Sequence, residues 1–166
     1  MRSLKLFFLF LSSILCNEVL GEETKFIDIS KDTDRQVIVD KEDGQYLGHP
    51  TTTLIENSET ILCVYPKGHG RGEIVYKRSL DGGQSWSERL KTPMTWNSSK
   101  EVPTLFQVKD KKGKERIIMF SGLYPIRMAT TENNGKTWSE LHPIGNFGGI
   151  VAMGTMIPVS YTHLTL

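Results

Sequence analysis

A short glycine-spaced segment carries three basic side chains whose types suggest recognition of an anion. Residues 66–72 have the sequence PKGHGRG, so Lys67, His69 and Arg71 alternate with glycines. An arginine guanidinium pairs bidentately with a carboxylate, and a histidine can transfer a proton near neutral pH. The glycines let the backbone approach a ligand closely. The segment therefore predicts a site for an anion such as a carboxylate, and a solvated basic loop is the alternative interpretation.

Other candidate site residues lie around this segment and in later stretches. His69 is a candidate for proton transfer, and Glu73 is the carboxylate nearest to the basic segment. The remaining substrate-binding candidates are His49, Glu101, Tyr124 and Arg127. An ordinary structural role is the alternative for each of these residues: a turn histidine, an exposed carboxylate, a rim aromatic and a surface ion pair. Trp96 is open to two interpretations, stacking on a sugar ring or packing in a core.

Composition excludes several classes of protein. The chain has 166 residues, with 20 Lys and Arg against 19 Asp and Glu. Nucleic-acid binders normally carry a basic excess, and a hydrophobic content of 38% is too low for a multi-span membrane protein. No Cys/His pattern has zinc spacing, so we expect no metal and no cofactor. Cys63, the one cysteine beyond the leader, is expected to be a small buried hydrophobe.

The first residues have the organisation of a secretory leader. A basic start precedes an apolar run over residues 6–15, and the small-residue stretch VLG ends at Gly21. The run is too short to span a bilayer, so residues 1–21 are predicted to be a signal peptide. We expect a secreted or periplasmic protein. Lipid attachment at Cys16 is the weaker alternative, because the preceding Leu15 is bulky.

A repeated passage provides the framework that must position the candidate site. Residues 79–88 (SLDGGQSWSE) recur as residues 131–140 (TENNGKTWSE), with Trp86 and Trp138 separated by 52 residues. Upstream, residues 52–55, 60–65 and 73–79 match residues 104–107, 116–121 and 125–131 respectively. Each copy contains short β-rich runs divided by turn residues and shows no helical period. Four short strands in about 50 residues are typical of a β-propeller blade.

The repeated passage has the chemistry of a tight turn. An Asp or Asn side chain can accept hydrogen bonds from its own turn, Gly supplies a positive φ, and Trp packs as an apolar support. The turn residues in question are Ser79, Asp81, Gly83, Trp86, Thr131, Asn133, Gly135 and Trp138. If the turn joins the third and fourth strands of a blade, residues 66–72 and 122–125 lie at the opposite end. The links 45–50, 96–102 and 146–149 lie at that opposite end as well.

These turns resemble Asp boxes, and the chain resembles the sialidase (neuraminidase) superfamily over residues 44–158. The resemblance implies an all-β six-bladed propeller, with about two blades and the start of a third within residues 22–158. It also implies a secreted exo-glycosidase that releases terminal sialic acid from glycoconjugates. In that family the Asp boxes are structural and lie away from the active site. We therefore expect the eight turn residues to hold hairpins and a glycan to be the partner, with no nucleic acid and no membrane span in the mature chain.

Some residues depart from the family pattern. Sialidases have an Arg-Ile-Pro near the first blade, whereas residues 48–50 are GHP. The family's catalytic acid is an Asp in an early loop of the active-site face, and residues 67–72 contain no Asp, so Glu73 and His69 are the candidate acids in its place. The family's nucleophilic Tyr and its Glu come from later blades. Two alternatives therefore stay open: a sialidase-fold enzyme for another sugar, and a non-catalytic propeller that binds glycans or proteins. Residues 159–166 (VSYTHLTL) resemble a translated library-preparation adapter, so we expect an N-terminal part of a longer gene that is inactive alone.

Overall fold

The computed structural model describes residues 25–56, 58–99, 101–110, 112–122, 124–146 and 154–156. The predicted signal peptide (1–21), the adapter-like tail (159–166) and most of the predicted third-blade start lie outside these residues. The chain divides into two units, Met1–Thr33 and Asp34–Leu166. The described part of the first unit contains a turn in which the Asp32 amide donates to the Ile29 carbonyl over 3.0 Å.

Seven strands form two antiparallel sheets in the second unit. The three-stranded sheet, in the order β1-β2-β3, contains β1 (Thr51–Leu54), β2 (Ile61–Pro66) and β3 (Ile74–Ser79). The four-stranded sheet, in the order β4-β5-β6-β7, contains β4 (Thr104–Lys109), β5 (Glu115–Ser121), β6 (Arg127–Thr131) and β7 (His142–Pro143). Short 3-10 helices span Thr33–Arg35 and Met94–Ser98. The predicted all-β class is confirmed, and no helix within the described ranges is long and apolar enough to cross a bilayer.

The two sheets have different burial patterns for a reason visible in their sequences. β2 reads ILCVYP and is buried along nearly its whole length, because both faces of the first sheet are covered. β5 reads ERIIMFS, and its burial alternates, so one face is packed and the other is only partly covered. β-Branched and aromatic residues suit both positions.

Strand register shows where the two copies differ in length. Ile61 pairs with Ser79, and Ile117 pairs with Thr131, so β2 and β5 are offset by 56 residues while β3 and β6 are offset by 52. The β2–β3 loop of the first copy is therefore four residues longer than the β5–β6 loop. These extra residues fall within the basic segment.

One predicted alignment is wrong by one residue. Thr51 pairs with Val64, and Thr104 pairs with Phe120, which is the register equivalent of Val64. Thr51 rather than Thr52 is thus the counterpart of Thr104. A shift of one residue moves every side chain to the other face of a sheet, so the correction changes which threonines point toward the core.

The main core lies between the two sheets. It is built from buried side chains of β2 and β3 on one side and of β4, β5 and β6 on the other. Trp96, from the 3-10 helix in the link, is fully buried there, with its ring centroid 5.4 Å from Trp138 and 6.3 Å from Tyr76. Core packing is therefore the correct interpretation of Trp96, and its burial excludes sugar stacking. A second cluster (Cys63, Tyr65 and Val75, with Trp86 against them) covers the outer face of the first sheet.

The two turns that resemble Asp boxes share most of their hydrogen bonds. In the first, the Asp81 carboxylate accepts from the Ser79 hydroxyl over 2.8 Å, the Ser85 amide over 2.9 Å and the Ser85 hydroxyl over 2.5 Å. These bonds, led by the Ser85 hydroxyl, lower the pKa of Asp81 to about 2.

The fourth segment of the first copy is not a regular strand. It joins β3 through two amide bonds, from Ser87 to Arg78 and from Leu90 to Tyr76, each 2.8 Å long.

The second turn repeats this network with an amide in place of the carboxylate. Asn133 Oδ1 accepts from the Thr131 hydroxyl and the Thr137 amide, both over 2.9 Å. Asn133 Nδ2 then donates to the Thr137 hydroxyl over 2.8 Å, which reverses the direction of the last bond. Gly135 has a φ of +77°, and the preceding Asn134 has a φ of +56°, a conformation that Asn tolerates better than most residues.

Candidate functional site

The candidate residues collect at one end of the two sheets, here called the loop end. Antiparallel pairing brings the β2–β3 loop, the β5–β6 loop and the starts of β1 and β4 to this end, opposite the Asp boxes. The two sheets have their loop ends on the same side because β1 and β4 lie next to each other and run in the same direction. At the loop end the Thr51 hydroxyl donates to the Pro103 carbonyl over 2.8 Å, and at the other end Gln107 Nε2 donates to Thr53 Oγ1 over 3.2 Å.

The β2–β3 loop, residues 67–73, contains most of the basic segment and is here called the basic loop. Backbone hydrogen bonds hold it in place. The Lys67 amide donates to the Glu73 carbonyl over 2.8 Å, and Gly72 exchanges two amide bonds with Ser99 over 3.0 and 2.9 Å. Glycine is required at positions 68 (φ +142°) and 72 (φ +116°). A Cβ on Gly68 would come 2.6 Å from the Arg71 carbonyl oxygen, and a Cβ on Gly72 would come 2.5 Å from the Lys67 carbonyl oxygen. The glycines therefore allow the loop to fold tightly against itself and against the link.

The structure brings two predicted site residues into direct contact. His49 Nε2 lies 3.2 Å from His69 Nδ1, and the ring centroids are 4.6 Å apart at an interplanar angle of 70°. Both side chains are exposed. His49 has a φ of +55°, which is uncommon for a residue with a Cβ, and its backbone conformation directs the chain into β1. A hydrogen bond between the two imidazole rings needs one nitrogen as donor and the other as acceptor.

Tyr46 is a site residue that the sequence did not single out. Its ring centroid lies 5.8 Å from that of His69 and 6.5 Å from that of His49. Gly48 is buried beneath the ring, and a Cβ there would come 2.6 Å from the Tyr46 hydroxyl. Only glycine thus permits the aromatic ring to fold back over the histidine pair. The position of Tyr46 in the predicted 45–50 link was the available signal.

The three basic side chains of the loop have different surroundings. Lys67 Nζ lies 3.1 Å from Glu42 Oε2, His69 contacts His49, and Arg71 is exposed. The structure therefore brings His69 together with His49, and it leaves Arg71 exposed to solvent. Glu73, the predicted carboxylic acid, is also exposed.

The residues predicted around the second loop have mainly backbone partners. Arg127 donates from Nη2 to the Ser98 carbonyl over 2.5 Å and from Nη1 to the Thr95 carbonyl over 3.4 Å, and burial lowers the pKa of Arg127. Arg127 thus fixes the 3-10 helix instead of forming the surface ion pair that was its alternative. Glu101 accepts from the Val102 amide over 3.1 Å. Tyr124 is 60% exposed at the rim.

A second polar cluster lies on the outer face of the first sheet. The Asp40 carboxylate accepts from the Tyr65 hydroxyl and from Arg89 Nε over 2.7 Å, with Lys77 Nζ 3.8 Å away. Burial acts to raise the pKa of Asp40, but the bonds from Arg89 and Tyr65 outweigh it and lower the pKa overall. Burial and Asp40 together raise the pKa of Tyr65 far above its ordinary value, so this phenol is a structural donor and a poor nucleophile.

The described residues contain no group of three or more His, Cys, Asp or Glu side chains arranged around a metal position. Cys63 is 1% exposed, and burial raises the pKa of its thiol to about 11, which makes it unreactive at neutral pH. No model of a known protein family matches the chain, and no curated protein matches it. The chemistry of the loop end is therefore argued from its own geometry.

Proposed function

We propose that this chain belongs to a secreted, sialidase-like Asp-box β-propeller that acts as an exo-glycosidase on terminal sialic acid of glycoconjugates. The observation that carries the proposal is the pair of Asp-box turns at one end of two sheets with a cationic, histidine-containing loop at the other end. An anionic sugar fits this loop because Arg71 is accessible for a carboxylate and His69 for proton transfer.

The propeller part of the proposal is supported by the equivalence of sheet faces. Leu62, Val64 and Tyr76 of the first sheet are covered by the second sheet. Their counterparts in the second copy, found from the offsets of 56 and 52 residues, are Ile118, Phe120 and Met128. The three counterparts are all apolar and only half-buried. A third sheet packed on this face would repeat the contact between the first two sheets. Successive sheets related in this way, with their first strands adjacent and parallel, are the arrangement of a propeller.

The alternative function, a propeller that binds glycans without cleaving them, is favoured by the state of the carboxylates at the loop end. Glu101 accepts a bond from the adjacent Val102 amide, and Glu73 is exposed instead of facing the histidine pair in a closed pocket. A glycosidase acid normally has a raised pKa in a partly desolvated site. Of the two proposed acids, His69 is the better candidate, because it contacts His49 and because a histidine can transfer a proton near neutral pH.

Binding and turnover measurements separate these functions. Saturation-transfer NMR would compare 3′-sialyllactose with lactose, which lacks the carboxylate, and a fluorogenic sialoside would report turnover by the full-length gene product. We expect sialyllactose to bind in preference to lactose. Arg71→Ala should weaken binding about tenfold or more, while Lys136→Ala, which removes an exposed cation at the Asp-box end, should leave it unchanged.

The outcomes have distinct meanings. Turnover that is lost in His69→Ala supports the enzyme. Binding without turnover supports the non-catalytic alternative. Absence of both binding and turnover on every sialoside rejects the assignment to sialic acid, and cleavage of a different anionic sugar would redirect it to another glycosidase.

A further inference from the structure

The histidine pair at the loop end has a geometry suited to a function beyond proton transfer. His49 precedes β1 and His69 lies in the β2–β3 loop, so the two residues come from segments 20 positions apart. Their facing nitrogens, Nε2 of His49 and Nδ1 of His69, are 3.2 Å apart. Neutral imidazole nitrogens are the commonest protein ligands of Zn²⁺, Cu²⁺ and Ni²⁺.

The separation of these nitrogens matches one edge of a metal coordination shell. A Zn–N distance of 2.0–2.1 Å and tetrahedral geometry put two ligand nitrogens about 3.3 Å apart. The square-planar arrangement favoured by Cu²⁺ has an edge of about 3 Å at a similar bond length. Both rings are exposed, so each can turn its lone pair toward a common point without displacing core side chains.

The backbone on both sides of the pair is held in place. His49 has a φ of +55°, a conformation that non-glycine residues adopt rarely and that concentrates at ligand-binding positions. The loop that carries His69 is closed by the Lys67–Glu73 bond and by the Gly72–Ser99 pair. The two imidazoles are therefore presented by segments whose positions are already fixed, which lowers the entropic cost of binding an ion.

We propose that His49 and His69 form a two-histidine site for a divalent transition-metal ion, with water or the oxygen atoms of a bound ligand filling the other positions. The described residues supply no third His, Cys, Asp or Glu ligand. The site is consequently open, and its affinity is lower than that of a closed structural site. The site joins the segment that precedes β1 to the basic loop. The proposal does not depend on the proposed glycosidase activity.

Metal titration of the untagged full chain tests the proposal. Isothermal titration calorimetry with Cu²⁺, Ni²⁺ and Zn²⁺ should show one site, with Cu²⁺ bound most tightly. His49→Gln and His69→Gln should each weaken binding at least tenfold. His142→Gln is the matched control, because His142 is the remaining histidine of the described residues and is exposed on β7.

An electron paramagnetic resonance spectrum of the Cu²⁺ complex gives a readout independent of any variant. We expect superhyperfine splitting from two imidazole nitrogens in the wild type and from one nitrogen in each single variant. The proposal is overturned if the wild type binds no more tightly than the His49→Gln/His69→Gln double variant. It is also overturned if His142→Gln weakens binding as much as His49→Gln, or if the wild-type spectrum shows fewer than two nitrogens.

Discussion

Gly83 and Gly135 occupy equivalent positions in the repeated turn but have different surroundings, which allows a paired test of the packing between the sheets. Gly135 has a φ of +77°, its carbonyl accepts a buried 2.8 Å bond from the Tyr76 hydroxyl, and a Cβ there would overlap that hydroxyl and come 2.7 Å from Leu62 Cδ1. Gly83 has a φ of +93°, but a Cβ there would meet only Ile61 Cδ1 at 3.5 Å. Both substitutions to Ala impose backbone strain, and only Gly135→Ala also disturbs the core.

The expected magnitudes follow from these contacts. A left-handed Ala costs roughly 1–2 kcal/mol in either turn, and lower entropy of the unfolded chain returns roughly 0.4–1 kcal/mol. Overpacking against Leu62 adds about 1–3 kcal/mol, and loss of the Tyr76 bond adds about 1 kcal/mol. We therefore expect Gly135→Ala to lower the free energy of unfolding by about 2–4 kcal/mol more than Gly83→Ala. Urea titrations followed by Trp fluorescence measure this difference, and equal losses in the two variants would refute the packing of the second turn on the first sheet.

Two further predictions concern residues in and just after the repeated turns. The pKa of Asp81 is lowered to about 2, so the carboxylate's contribution to the free energy of unfolding is present at neutral pH and is lost as the pH falls from about 4 to about 2. In Asp81→Asn the urea midpoint should therefore change less with pH over that window than in the wild type. Parallel curves of urea midpoint against pH for the two proteins would contradict this. Glu140 accepts bonds from the Thr95 hydroxyl and amide at the start of the helix that carries Trp96, so Glu140→Ala should lower the melting temperature, whereas Glu88→Ala, its exposed counterpart, should leave it unchanged.

Local chemistry made the turns predictable from sequence. The side chains of Asp81 and Asn133 bond to groups within four residues, so the residue types alone define donors and acceptors. The all-β class was equally accessible, because short β-rich runs divided by turn residues recur in both copies of the repeat. Neither inference required knowledge of contacts between distant segments.

Register and side-chain partners were harder to predict for physical reasons. Residues 51–53 are three consecutive threonines, which give no hydrophobic alternation to distinguish one register from the next. The contact between His49 and His69 depends on the positive φ of His49 and on the folding of a glycine-rich loop, and neither is encoded by periodicity. The partners of Arg127 are backbone carbonyls of a helix 29 residues or more away, and carbonyls carry no sequence signal.

The difference between the two copies bears on the ligand site proposed at the loop end. Both copies share the antiparallel pairing of their first three strands and most of the hydrogen bonds of the repeated turn, and the β5–β6 connection crosses the loop end with four fewer residues than the β2–β3 connection. Closing that end of a sheet therefore does not require the longer loop. The extra length includes the glycine-spaced positions around His69, and Gly68 and Gly72 have backbone conformations that tolerate no side chain. The loop is thus longer than the strand pairing needs and is held by backbone bonds next to a histidine of positive φ, which is the arrangement on which the metal site proposed for His49 and His69 rests.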